Sequence, residues 1–368
     1  VRGKNEVEAD VFFKKVFEAG PEDARPFHQY TSFLLKTKQW DKLAEQVQER
    51  KQDPYFGGVA ERAEFQAALN RHHWNEADRL FAEAQQSKSP NVAMMKSRKA
   101  RAELNKRAEE MGVKNSDRVK LWWMETPYPG NFGDIINPYL IEGLTGIPPR
   151  FSNKSDRLLA VGSIIKFAKK GTPVWGAGSP RREDKLAPDA DYRAVRGPLT
   201  RDLVLRKGGS MPEVYGDPAW FLPKIYNPQV EKKHKLGMIL HVAHRGAVKN
   251  IDPDVKLIDI RRVGPDEIEA FIRELLSCEA VLSTSLHGVI VAHAYGIPVR
   301  WCVAPKAKKR ISGDGMKFED YFQSVGRSAP EPLNLNSLDR VGSDLAAVCT
   351  DNPEAPIDLK ALAEAAPV

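Results

Sequence analysis

Three stretches of this 368-residue chain carry side chains whose type and spacing could do chemistry. The first is Ser283-Thr284-Ser285-Leu286-His287-Gly288, which follows an apolar run read as a strand over 280–283 and precedes a helix through Ala294. A helix that opens after a strand aims free N–H groups and its positive dipole end at the crevice beyond the strand ends, so an anion is the natural guest. Thr284 and Ser285 add hydroxyl donors, Gly288 lets a ligand approach the backbone, and His287 adds a titratable ring. The second is Asn131-Phe132-Gly133-Asp134, where Asp134 either caps the following helix or stands in the crevice as an acid, base or sugar-hydroxyl ligand. The third is Arg196, directly before Gly197-Pro198 at the end of a strand, where a guanidinium could clamp a carboxylate or phosphate in bidentate fashion.

His241, His244 and Arg245 stand at the end of a further strand, 236–242. His241, His244, His287 and His293 lack the spacing and acidic partner of a metal site, so no metal is expected; His293, six residues after His287 on one helix, should point elsewhere. Cys278, Cys302 and Cys349 are far apart and without CxxC spacing, which predicts reduced structural thiols. Gly176-Ala177-Gly178 is short of a dinucleotide fingerprint, so no nicotinamide cofactor is expected.

These residues need a scaffold of strands that end together. From Val119 apolar runs alternate with helices, and runs at 157–161, 173–175, 192–195 and 214–215 each end in a glycine turn, as a parallel sheet facing a ligand crevice requires. A Pro/Asn/charged segment, 223–235, reads as a linker, after which strands at 236–242, 255–259, 280–283 and 299–302 restart the pattern. The expected organisation is a helical region over 1–112, a first Rossmann-like domain over 113–225, a second over 226–345, and a C-terminal tail over 346–368; the whole stretch after Arg310 reads as tail-like and is expected to pack back on the first domain.

The N-terminal part has few glycines and no convincing strand. Trp40 and Trp74 stand 34 residues apart, each followed by an acidic, Ala/Leu-containing helix and then a proline, Pro54 or Pro90. That is the tetratricopeptide period, and it predicts stacked helix pairs serving as a docking or bracing module, with a plain helical bundle as the other reading.

Composition bounds the function. The net charge of +7 favours anionic partners, yet the basic residues are spread out without aromatic interleaving, so nucleic acid is not expected. No stretch reaches the ~18 apolar residues of a membrane helix and the N-terminus is polar, which points to the cytoplasm, with peripheral association at the inner face of the plasma membrane compatible with the charge.

Asn131-Phe132-Gly133-Asp134 with Asn137-Pro138, Gly162-Ser163-Ile164, Trp175-Gly176-Ala177-Gly178, Arg196-Gly197-Pro198, Tyr215-Gly216-Asp217-Pro218 and Ser285-Leu286-His287-Gly288, in this order over 119–325, resemble the polysaccharide pyruvyl transferase family. The resemblance implies an α/β fold of two Rossmann-like domains facing a cleft (GT-B-like), here preceded by the all-α repeat region. It also implies transfer of pyruvate from phosphoenolpyruvate, a co-substrate rather than a cofactor, onto two hydroxyls of a sugar in a bacterial surface polysaccharide or capsule, with a glycan or lipid-linked saccharide as acceptor. By that carry-over Arg196, Ser285, Leu286, Gly288 and Arg245 bind the donor, His287 binds phosphate or acts as general acid, Asp134 or His241 takes a hydroxyl proton, and Asn131 and Asp134 meet the acceptor. Many members carry arginine where Ser285 stands, so the donor's charge here would fall to Arg196, Arg245 or the basic stretch 306–310. Two further readings use the same residues: a nucleotide-sugar glycosyltransferase of GT-B type, and a non-catalytic scaffold of polysaccharide assembly that docks a protein partner through its repeats.

Overall fold

The computed structural model describes residues 6–19, 22–308, 311, 313–352 and 357–368. Of the basic stretch 306–310, Lys309 and Arg310 lie outside them. The chain divides into two compact units, Val1–Lys106 and Arg107–Val368.

The first unit is helical: α1 Glu6–Ala19, α2 Ala24–Thr37, α3 Trp40–Arg50, α4 Gly57–Asn70, α5 Trp74–Gln86 and the start of α6 Val92–Glu110. Its turns repeat. Lys38, between α2 and α3, and His72, between α4 and α5, both take positive φ near 60°, two residues before Trp40 and Trp74, which open α3 and α5. The two tryptophans are half-buried and pack on the edges of two apolar clusters rather than at their centres: Trp40 on the one that holds Phe27, Leu34 and Leu43, Trp74 on the one that holds Phe65, Leu80 and Met95.

The second unit is mixed α/β with parallel sheets. Its elements are β1 Lys120–Leu121, α7 Phe132–Thr145, β2 Arg150–Phe151, β3 Pro173–Trp175, β4 Asp191–Ala194, α8 Pro198–Arg206, α9 Leu222–Ile225, β5 His234–Ile239, β6 Lys256–Ile258, α10 Pro265–Leu276, β7 Cys278–Ser283, α11 Leu286–Ala294, β8 Val299–Val303, α12 Met316–Ser324, β9 Leu333–Asn334 and α13 Leu359–Glu364.

In the first half of this unit the pairing is parallel but interrupted. β1 pairs with β2, β3 pairs with β4, and single parallel bridges at Leu121–Leu158, Leu159–Val174 and Val195–Tyr215 join them in the spatial order β2, β1, 158–159, β3, β4, 215. The run expected as a strand over 157–161 pairs only at Leu158 and Leu159. The backbone N–H and C=O of Val161 are instead taken by the side chain of Asn137, at 2.9 Å each.

The second half is a five-stranded parallel sheet in the order β6-β5-β7-β8-β9. In both halves the first strand in sequence lies between the second and the third, so the chain reverses its direction of travel across the sheet there. Ligands gather outside the carboxyl ends of the strands at such a switch point. Residues 223–235 are more ordered than the expected linker: α9 opens the segment, and Lys233 N–H and Lys232 Nζ bond Ser277 O and Cys278 O. The tail contributes as well. β9 adds a strand, and Trp175 Nε1 donates to Leu362 O of α13 at 2.7 Å. Cys278, Cys302 and Cys349 are buried and unbridged.

Candidate functional site

The two switch points face one cleft of about 450 Å³. From the first half it is lined by Met124, Thr126, Pro127, Asn131 and Asp134 after β1 and by Ser163, Ile164 and Lys166 after the 158–159 strand. His241, Val242 and Ala243 after β5 and Ser285, Leu286 and His287 after β7 line it from the second half, and Ile311 and Lys317 complete the wall.

Asp134 is placed by an unusual helix start. Asn131 is the N-cap of α7, and Asp134 stands in the first turn, so capping is not its role. Pro138 inside α7 has no N–H to give to the carbonyl four residues back, which is that of Asp134. Asn137 replaces the missing donor: its amide donates to Asp134 O and to Val161 O, both at 2.9 Å, while its oxygen accepts from Val161 N–H. One fully buried side chain thus repairs the helix and fixes Asp134 beside the end of the neighbouring strand. Burial pushes the Asp134 carboxyl above its ordinary range, opposed by His287, the Asn131 amide and Lys317. Asn131 Nδ2 donates to Asp134 at 3.3 Å, while its buried Oδ1 has no hydrogen-bond partner among the described residues.

His287 is the second residue of α11, and no side chain caps the first turn of that helix. The ring lies flat on Gly133, where a Cβ would come within 1.9 Å of Nδ1. Its Nε2 faces Oδ2 of the buried Asp217 at 3.5 Å, and neither atom has a hydrogen-bond partner among the described residues. The other oxygen of Asp217 accepts from Ala219 N–H at 3.0 Å, which fixes the carboxylate. The His241 ring accepts from Ala243 N–H at Nδ1 (3.1 Å), and the backbone N–H of His241 donates to Thr284 Oγ1 (2.9 Å). Burial, then the charges of Lys317, His244 and His287, hold its ring down to about 3. A neutral ring that accepts at Nδ1 carries its proton on Nε2, so His241 offers a donor.

Of the other expected residues, Ser285 and Leu286 line the cleft, and Gly288 does not: the space beside it is filled by Ser283 Oγ, 2.2 Å from where a Cβ would stand. Arg245 lines a separate pocket and leans on Asp259 at 3.4 Å. Arg196 is fully buried behind the wall, its Nε and Nη2 on Asp320 Oδ2 at 3.1 and 3.0 Å, Nη2 on Ser179 O at 2.7 Å, and Nη1 on the wall residue Ser163 at 3.3 Å. His293 is buried against Tyr321, its Nδ1 2.9 Å from the phenol oxygen. Among the described residues no group of three His, Cys, Asp or Glu side chains is arranged to hold a metal ion.

Two site residues had escaped the sequence. Asp217 was visible only as part of a Gly-Asp-Pro turn. Lys317 left no signal, because it lies 30 residues beyond His287 in a stretch that read as tail. The fold returns it to the cleft through Asp320, one turn further along α12, which caps the start of α8 by accepting from Thr200 N–H at 2.8 Å and Thr200 Oγ1 at 2.6 Å. Among the described residues Lys317 has no carboxylate within 4 Å, and burial followed by the nearby Arg196 brings its ammonium down to about 8, with Asp134 opposing. Arg196 thus braces, through Asp320, the helix that carries Lys317.

Comparison with known proteins places this geometry. A family model described as polysaccharide pyruvyl transferase matches residues 96–305, a stretch that ends before Lys317. An uncharacterised protein of Acanthamoeba polyphaga mimivirus is 29% identical over 214 residues, 53% of this chain and 71% of that one. The succinoglycan biosynthesis protein ExoV of Rhizobium meliloti (strain 1021) is 26% identical over 223 residues, 56% of this chain and 65% of ExoV. No solved structure matches. The family model covers more than half of the chain and contains every motif from Asn131 to Gly288, and the chain belongs to the polysaccharide pyruvyl transferase family.

Proposed function

We propose that the chain transfers the pyruvyl group of phosphoenolpyruvate to two hydroxyls of one sugar in a saccharide acceptor, forming a cyclic ketal and releasing phosphate, and that its second unit is a GT-B-like pair of Rossmann-like halves. One observation supports the reading: a single cleft of about 450 Å³ is lined by Lys317, which has no carboxylate within 4 Å among the described residues, by the first turn of α11, and by Asp134 and His287. That volume lies within the range of small-ligand sites and is large enough for phosphoenolpyruvate with one sugar ring.

In this reading the donor's negative charges lie between Lys317 and the first turn of α11, where the ammonium, the helix dipole and the Ser285 hydroxyl hold them. Lys317 takes the part that arginine plays in family members with arginine at the position of Ser285. His287, whose Nε2 faces the Asp217 carboxylate, delivers a proton to the methylene carbon of the enol, and the central carbon becomes an oxocarbenium-like electrophile. A sugar hydroxyl attacks it, with Asp134 accepting the proton and His241 donating a hydrogen bond from Nε2. Phosphate leaves, the second hydroxyl closes the ring, and the two hydroxyl protons end on the new methyl group and on phosphate. The unpartnered Asn131 oxygen accepts from the acceptor.

ExoV is named for succinoglycan biosynthesis, which supports a surface polysaccharide as the acceptor class. No helix among the described residues is long and apolar enough to cross a membrane. The helical first unit, with its two similar turns, is the part suited to docking a protein partner.

The test is chemical. Phosphoenolpyruvate labelled with carbon-13 at its central carbon, incubated with the protein and a saccharide pool from a polysaccharide-producing bacterium, is followed by NMR. A new quaternary ketal carbon that grows in step with phosphate release supports the proposal. Turnover of nucleotide sugars without consumption of phosphoenolpyruvate overturns it in favour of glycosyl transfer.

A further inference from the structure

A second pocket, of about 800 Å³, shares Val242 and Ala243 with the cleft. Among the described residues its charged lining is basic, with no Asp or Glu: Arg245 and Lys249 from the segment after β5, Lys306 and Lys308 from the segment after β8. Arg245 shares Asp259 with Arg261, which holds that carboxylate more closely, at 2.9 Å against 3.4 Å. Among the described residues, none of the three lysines is in an ion pair. Four cations around one concavity repel one another and raise its positive potential, and the proposed pyruvyl transfer uses none of them.

The pocket is built. The amide of Asn336 donates to Ala247 O at 2.9 Å and its oxygen accepts from Lys306 N–H at 2.8 Å, so one side chain ties together the two segments that carry the cations. Asn250 adds a second tie, its amide donating to Asp339 O and its carbonyl accepting from Val341 N–H, both at 2.9 Å. Val242, Leu335 and Leu338 give the remaining wall an apolar character.

We infer that this pocket receives a diphosphate-type anion carried by the saccharide acceptor, with the shared Val242–Ala243 wall setting the distance between that anion and the hydroxyls presented to Asp134. The inference rests on the proposed pyruvyl transfer for its acceptor. The cations stand on two separate segments, so two linked phosphates offer oxygens to both segments where a single phosphate reaches fewer of them, and the volume leaves room for the group attached.

Calorimetric titration of the full chain with inorganic pyrophosphate, inorganic phosphate and phosphoenolpyruvate tests it, with wild type, Lys249→Gln/Lys306→Gln and Lys317→Met compared. Both substitutions of the double variant are on exposed side chains, so the fold is expected to be kept. Pyrophosphate should bind more tightly than phosphate, at least tenfold more weakly to the double variant, and equally to Lys317→Met. Absence of pyrophosphate binding, or binding that the double variant retains and Lys317→Met loses, overturns the pocket. Phosphoenolpyruvate separates the two proposals: if wild type ignores it while pyrophosphate binds as described, the cleft reading fails and the acceptor role fails with it. If phosphoenolpyruvate binds and pyrophosphate does not, only the pocket fails. In transfer assays an acceptor-borne anion requires pyrophosphate to raise the apparent KM for the acceptor; a change in kcat at constant KM assigns the pocket to a free anion and overturns the acceptor role.

Discussion

Lys317 keeps its positive charge only below about pH 8, because burial and the neighbouring Arg196 make the ammonium costly. If it holds the donor, affinity for phosphoenolpyruvate falls as pH rises through about 8, and Lys317→Arg moves that fall to higher pH. Lys317→Met removes a charge-assisted contact worth ~1.5–3 kcal/mol, a loss of ~10–100-fold in affinity at pH 7. The same shift has the opposite sign for the unliganded fold. The folded lysine gives up its proton before the unfolded one, so the contribution of Lys317 to stability rises between about pH 8 and the range of a free lysine. Titrations with phosphoenolpyruvate and denaturation curves at pH 7 and 9 check both directions. His287, Asp134, His241, Ser285 and Asn131 were legible in the sequence because each stands where an apolar run meets a helix start. Lys317 was not, since no local pattern says that a helix 30 residues on folds across the same strand ends.

At the scale of elements, the motifs act by tying strand ends to helix starts. Asn137-Pro138 is a repair that can be broken: Asn137→Leu keeps the branched shape but leaves Asp134 O and both backbone groups of Val161 without this partner. It should lower stability by at least ~3 kcal/mol in urea denaturation, since three buried groups lose their partner and each costs ~1–3 kcal/mol. The Arg196–Asp320 pair makes a sharper test. Truncation of a buried ion pair on one side strands the other charge, so Arg196→Ala should cost ~3–5 kcal/mol, and Arg196→Met/Asp320→Asn, which removes the stranded charge while still accepting from Thr200 N–H, should recover part of that. If Arg196 touched the donor directly, its truncation would instead weaken phosphoenolpyruvate binding with stability little changed. Strand positions were readable from apolar runs and glycine turns, but strand lengths were not. Several runs pair for one to three residues before a side chain or a turn takes over the backbone, as Asn137 does at Val161.

For the second unit as a whole, the cleft exists because the helix after β1 packs across onto the other half. Phe132 and Phe271 stack with centroids 4.0 Å apart between α7 and α10, and Phe132 N–H donates to Ile260 O at 2.8 Å. Phe132→Ala should cost ~3–5 kcal/mol in stability and loosen the spacing of Asp134 and His287, which a thermal melt and a donor titration together would show. This packing was beyond the sequence, which marks an apolar face without naming its partner; the alternation of strands and helices was enough to give the α/β class and its parallel sheets. The central claim is that phosphoenolpyruvate binds between Lys317 and the first turn of α11. The most direct measurement is the thermal stability of wild type, Lys317→Met and His287→Ala with phosphoenolpyruvate and, separately, with a panel of nucleotide sugars. At a hundred times its dissociation constant a ligand adds about 2.7 kcal/mol. The account predicts that stabilisation for phosphoenolpyruvate in wild type and its loss in both variants; stabilisation by a nucleotide sugar alone would contradict it.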